Sequence, residues 1–147
     1  MFDLNSLDPF IGYWSGESDI AANPWSEGGT KRGRWGFRFD SARKNVIFDY
    51  EQSGADGAGF NGHGVFCADP DSADLCGFWF DAFGFPPLNP LRGQWQDTRL
   101  VLLRRTPRGQ GRWRLSIEDG RLHYNIDVCL PGQDTFSDVL RGQYNRT

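Results

Sequence analysis

From Arg34 to Phe39 the chain alternates, with Trp35, Phe37 and Phe39 on one face and Arg34 and Arg38 on the other. Val46, Phe48 and Tyr50 repeat the pattern against Ile47, Asp49 and Glu51. A period of two belongs to an extended strand with one buried face, whereas a helix needs 3.6. Further on, Trp113, Leu115 and Ile117 alternate up to Asp119-Gly120, and Leu122, Tyr124, Ile126 and Val128 return on the same face. Tight-turn signals separate such segments, Asp56-Gly57, Asp97-Thr98 and Asp119-Gly120 among them. Counted along the chain they make about ten short strands joined mostly by turns. The fold class is therefore all-β. We expect a closed antiparallel up-and-down β-barrel occupying residues 1–147 as one domain, since closure removes exposed edges. About eight strands enclose a space that side chains just fill, so about ten predict an internal cavity.

The barrel should open on Gly12-Tyr13-Trp14-Ser15-Gly16-Glu17, in a strand over residues 11–20. The Trp14 indole is suited to plug one end, and the glycines admit a neighbouring backbone or ring. Residues 2–9 are long enough only for a helical turn or plug ahead of Pro9. Residues 21–30, with Pro24-Trp25 and Gly28-Gly29, read as a loop whose tryptophan packs over an opening or meets a partner.

Turn positions predict registers. A turn centred on Ala42-Arg43 sets Phe37 opposite Phe48 and Trp35 opposite Tyr50. One centred on Asp56-Gly57 sets Tyr50 opposite His63 and Phe48 opposite Val65. One centred on Asp71-Ser72 sets His63 opposite Phe80, Val65 opposite Phe78, Cys67 opposite Cys76 and Gly64 opposite Trp79. Together they draw one row, Trp35, Tyr50, His63 and Phe80, across four strands. If the apolar face is the interior, Trp14, Trp35, Phe37, Phe48 and Phe80 form end and walls, and Tyr50 and His63 supply polar anchors. An apolar cavity with a few convergent polar groups is the usual form of a small-molecule site. Asp49, Glu51 and Asp81 then share the outer face with Trp79 and Phe66.

Composition narrows the function classes. Twelve Phe, six Trp and four Tyr suit a filled barrel or a ligand pocket. The net charge of −3 is spread without a basic block, which speaks against nucleic acid. No apolar run approaches ~20 residues and no signal-peptide pattern opens the chain, so neither membrane association nor export is expected, and the location is read as cytoplasmic. Cys67, Cys76 and Cys129 lack metal-ligand spacing and read as small core hydrophobes. His63 and His123 are the only histidines, too few for a multi-histidine metal site. His123 alternates with the polar residues of its strand and is expected outside. No nucleophile motif or phosphate-binding glycine loop occurs.

The motifs Gly12-Tyr13-Trp14-Ser15-Gly16-Glu17, Asp49-Tyr50-Glu51-Gln52, Gly62-His63-Gly64-Val65-Phe66 and Trp79-Phe80-Asp81-Ala82-Phe83-Gly84-Phe85-Pro86-Pro87 resemble those of an uncharacterised bacterial family of single-domain proteins in the calycin superfamily. The resemblance implies a lipocalin-like or fatty-acid-binding-like barrel and brings no activity with it. A more distant likeness is to nitrobindin, a haem barrel that also begins with Gly-x-Trp-x-Gly. Its iron-ligating histidine lies near the C-terminal end, whereas residues 134–147 contain none, so no cofactor is predicted. The loop over 21–30 is too short for the helix pair of fatty-acid-binding proteins.

Three readings follow. The first is binding of a small hydrophobic or aromatic molecule in the barrel interior, through Trp14, Trp35, Phe37, Phe48, Tyr50, His63 and Phe80. The second is an isomerase or hydro-lyase with His63 as general acid–base, which requires His63 inside. The third is an interaction module that forms a homodimer through an outer patch including Trp79 and Phe66.

Overall fold

The computed structural model describes residues 1–22, 27–53 and 59–147. Its strands are β1 (Gly12–Ile20), β2 (Gly29–Phe39), β3 (Asn45–Ser53), β4 (Gly59–Ala68) and β5 (Leu75–Asp81). They continue as β6 (Leu91–Gln96), β7 (Arg99–Thr106), β8 (Gly109–Glu118), β9 (Arg121–Cys129) and β10 (Ser137–Arg146). Each pairs antiparallel with its neighbours in the chain, and β10 pairs with β1. The result is a closed ten-stranded up-and-down barrel, as the alternation required.

A 3-10 segment, Leu4–Phe10, plugs one end. Asp3 caps it by accepting from the Asn5 amide at 3.0 Å. Leu7 and Phe10 are buried, and the Phe10 ring stacks on Trp95 at 5.8 Å. The Trp95 indole N–H donates to Ser6 Oγ at 2.8 Å, fastening the plug to β6. Behind it Trp14 donates to the Phe10 carbonyl at 2.8 Å, with the Arg146 guanidinium 4.2 Å over its ring.

Most turns lie where the residues place them. Arg43, Asp97 and Asp119 each adopt a left-handed φ of 53° or 54° at the turns read from sequence. Trp35 faces Tyr50 and Phe37 faces Phe48 across β2 and β3. His63 faces Phe80, Gly64 faces Trp79 and Cys67 faces Cys76 across β4 and β5.

The β3–β4 register differs by one residue. Tyr50 pairs with Gly62 and Phe48 with Gly64, while His63 pairs with Asp49. Ser53 pairs with Gly59, so an odd number of residues separates the strands, and a two-residue turn cannot produce that pairing. Asp56-Gly57 itself, like Trp25, lies outside the described residues. A one-residue slip exchanges the faces of everything downstream on the hairpin. Gly62, Gly64 and Phe66 therefore point inward, and His63 and Val65 outward. On β5, Leu75, Gly77, Trp79 and Asp81 turn inward, and Phe78 and Phe80 outward.

The inward glycines accommodate rings. A Cβ on Gly64 would meet Phe48 Cζ at 2.3 Å, and one on Gly62 would meet Trp79 Cζ2 at 2.1 Å. The barrel centre is accordingly packed. Trp35 stacks on Tyr124 at 4.0 Å and on Tyr50 at 4.4 Å, and Phe48 stacks on Phe66 at 4.3 Å. Burying such a side chain whole stabilises by about 1.5–3 kcal/mol, which favours filling this lumen over leaving it open. Where a central cavity was expected, the described residues place this aromatic core. Among the described residues no helix is long and apolar enough to cross a membrane.

Candidate functional site

Among the described residues, the barrel wall parts between β5 and β6. The β5–β6 ladder has three pairs, Leu75 with Gly93, Cys76 with Arg92 and Gly77 with Leu91. Beyond Gly77, β5 continues to Asp81 without a partner on that side. The chain leaves through Phe83-Gly84-Phe85-Pro86-Pro87-Leu88 and returns only after Pro90. Proline has no amide hydrogen to give to a ladder, so this link cannot extend the wall. On the far side, β7 runs on to Thr106 and β8 starts at Gly109.

A cavity of about 360 Å³ fills the opening, at the barrel end away from the plug. Trp79 and Asp81 of β5 line one side, Arg104 and Thr106 of β7 the other, and Gly111 of β8 lies opposite Arg104. Phe83, Phe85 and Leu88 stand over the entrance and are 60, 61 and 49 % exposed. This volume is at the small end of organic-ligand sites.

Each wall residue follows from strand alternation. Leu100 and Leu102 are fully buried, and Arg104 and Thr106 continue the same face toward the opening. Gly111 precedes Trp113 and Leu115 on the inward face of β8, and a Cβ there would meet nothing within 4 Å. Trp79 sets its edge against Gly62 and Trp113, with the two indole rings 5.4 Å apart and edge-on. Its N–H donates to Asp81 Oδ2 at 2.9 Å, and Asp81 Oδ1 accepts from the Phe83 amide at 2.9 Å. Burial pulls the Arg104 pKa below its usual value, an effect opposed by the nearby Asp81 carboxylate.

A second polar group lies deeper, on the β1–β3 and β9–β10 side. Ser18 Oγ is hydrogen-bonded to the Tyr144 hydroxyl and lies 3.3 Å from that of Tyr50. Tyr50 donates to Gln52 Oε1 at 2.8 Å. Burial raises the pKa of Tyr50, Tyr124 and Tyr144 and keeps these phenols neutral. Neutral phenols of this kind are not bases, and Tyr50 serves as a hydrogen-bond donor to Gln52.

Of the residues singled out from sequence, Trp14, Trp35, Phe37, Phe48 and Tyr50 face the interior, each 3 % exposed or less. They are packed among one another rather than around an opening. His63 and Phe80 are on the outer wall. Phe80 is 43 % exposed, and the two rings stack at 5.7 Å. The register slip explains both placements. His63 instead borders an outer hollow of about 370 Å³ with Tyr13, Arg34, Asp49 and Glu51. Asp81, expected beside Asp49 and Glu51, is at the cavity. Trp79 and Phe66, expected as an outer patch, face inward, and Phe66 is 1 % exposed. His123 is on the outer face as expected, with Nδ1 3.5 Å from Glu118 Oε2. No imidazole of this two-histidine chain faces the lumen, so a haem held there by histidine does not fit. Sequence reasoning missed Arg104, Gly111 and the inward Trp79. The Leu100-x-Leu102-x-Arg104 alternation was the signal that could have found the first.

These features define a closed β-barrel with a lateral opening at one end. No protein-family model matches the chain, and no curated protein matches its sequence. The chain is similar in structure to Rv2717c from M. tuberculosis, with a TM-score of 0.73 and 15 % identity over 98 % of this chain and 96 % of that one. At that identity the likeness shows the fold alone. It also aligns with a redesigned β-barrel, b11L5F_LGL, at a TM-score of 0.47 and 11 % identity over 100 % of this chain and 99 % of that one. EF1p2_mFAP2b bound to DFHBI aligns at 0.49 and 12 % identity over 98 % of each chain. No property of this chain is read from the last two.

Proposed function

We propose that the protein binds a small apolar or aromatic molecule at the parted end of its barrel, as a calycin-like cytoplasmic carrier without haem or metal. The observation that carries this reading is the cavity of about 360 Å³ between Trp79, Arg104 and Gly111, where the β5–β6 ladder stops. An opening walled by an indole and roofed by exposed rings offers apolar surface to a ligand, and burying that surface is what would drive binding. Trp14, Trp35, Phe37, Phe48 and Tyr50 do not line this cavity; of them Trp35 and Phe48 pack against Trp79, at 6.3 and 5.7 Å, and so support its wall. An acid–base role for His63 loses its support, because the imidazole is on the outer wall. A homodimer through Trp79 and Phe66 loses its surface for the same reason.

Fluorescence titration with the neutral dye phenylnaphthylamine tests the reading. Saturable, stoichiometric binding is expected. Gly111→Leu, which places a side chain in open space inside the cavity, should weaken it roughly tenfold or more, about 1.4 kcal/mol in binding free energy. Circular dichroism melting would show that this variant folds. Absence of saturable binding by the parent protein, or unchanged affinity in a folded Gly111→Leu variant, would overturn the proposal.

A further inference from the structure

We infer that the ligand of this cavity is an amphipathic organic anion, an aromatic or short aliphatic carboxylate or sulfonate, whose charged group is held by Arg104. This rests on the proposed binding function and adds the ligand's chemical class.

Arg104 differs from the paired arginines of the barrel. Arg92 pairs with Asp69 at 2.8 Å, Arg112 and Arg114 share Asp127, Arg141 pairs with Asp138, and Arg99 approaches Glu118. Arg146 donates to the Ile11 and Pro9 carbonyls. Arg104 makes no hydrogen bond or ion pair with any described residue, although its side chain is partly buried and follows Leu100 and Leu102 on the inward face. A guanidinium half removed from water with its donors unfilled is costly, and an anion that reaches it recovers the lost solvation.

Among the described residues, the charged groups that line the cavity are Asp81, Arg104 and Arg108, two cations against one carboxylate. Arg108 lies 5.0 Å over the exposed Phe85 ring at the entrance. The Asp81 oxygens are already engaged by the Trp79 indole and the Phe83 amide, both at 2.9 Å, so this carboxylate is tied to its own strand and loop. Arg104 consequently faces the cavity with its planar fork unoccupied. That fork matches a carboxylate in two parallel hydrogen bonds, whereas a lysine would offer a point charge. The ligand's apolar body would lie along Trp79 and under Phe83 and Leu88, which line the same cavity.

Two dyes with one ring system separate the claims. Phenylnaphthylamine is neutral, and anilinonaphthalene sulfonate adds an anionic group. Both are titrated into the parent protein and into Arg104→Gln, Arg104→Lys and Arg108→Gln, with melting curves for each variant. The sulfonate should bind roughly tenfold more tightly than the neutral dye, and Arg104→Gln should remove that advantage, read as the ratio of the two dyes' affinities for the same variant. Arg104→Lys should retain part of it, and Arg108→Gln most of it. Naphthoate should displace the sulfonate dye from the parent protein. Equal binding of both dyes, or an advantage that survives Arg104→Gln, overturns the anion inference and leaves the binding function standing. Failure of both dyes to bind overturns both proposals.

Discussion

Gly62 and Trp79 interlock across the β4–β5 hairpin: a Cβ on Gly62 would stand 2.1 Å from Cζ2 and 2.5 Å from Cη2 of the indole. The glycine is required by close approach, because the ring occupies the space a side chain would take. Gly62→Ala should therefore destabilise the barrel by about 1–3 kcal/mol, the usual cost of overpacking, and should displace Trp79 from the cavity wall. Gly111→Ala should change stability by about 0.5 kcal/mol or less, since nothing lies within 4 Å of its Cβ position. Denaturant melts of the two variants measure the contrast. Equal losses would show that the difference in local space is not felt.

Ser18 and Tyr144 form one buried pair, with Tyr50 on the serine's other side. Ser18→Ala removes a partner from phenols that burial holds neutral and should cost about 1–3 kcal/mol. Adding Tyr144→Phe removes the stranded hydroxyl as well, so the double variant should lose less than the sum of the two single changes. A double-mutant cycle by urea unfolding reads this coupling directly, and strict additivity would count against it. Tyr124 behaves oppositely. Its hydroxyl is buried with no partner among the described residues, so Tyr124→Phe should leave the melting temperature unchanged or raise it.

Stability should fall steeply in alkali. Tyr50, Tyr124 and Tyr144 have raised pKa values in the folded chain, chiefly through burial. Unfolded tyrosines ionise near pH 10, so above that pH the unfolded state binds fewer protons than the folded one. The stabilisation is complete below about pH 10 and is lost as pH rises toward the folded values. Urea midpoints between pH 8 and 11 should drop with a slope that becomes shallower in the Tyr50→Phe variant. A flat profile through that range would contradict neutral burial of these phenols.

Asp81 and His63 should respond in opposite ways to substitution. Asp81→Asn removes the carboxylate that lines the cavity among the described residues and should tighten binding of anilinonaphthalene sulfonate several-fold, with little effect on phenylnaphthylamine. His63→Ala changes an outer-wall residue stacked on Phe80 and should leave both affinities unaltered. Weakened dye binding in His63→Ala would place the ligand at the outer hollow instead.

Alternation within each strand was legible from the residues, because the pleat makes every second side chain a neighbour on one face. It determined the all-β class, the two agreeing hairpin registers, and the interior places of Trp14, Trp35, Phe37, Phe48 and Tyr50. The face that becomes interior was not legible on β4 and β5, where glycines and rings alternate on both sides. Only closure decided it. The pairing of Tyr50 with Gly62 turned Trp79 and Phe66 inward, because Gly62 and Gly64 are the positions bare enough to receive Trp79 and Phe48. The tertiary structure also decided where space remains. Rings from opposite strands meet and fill the centre, while the short β5–β6 ladder and its prolines leave an opening beside Arg104. Periodicity carries information about one strand at a time, whereas that cavity depends on how far two strands stay paired.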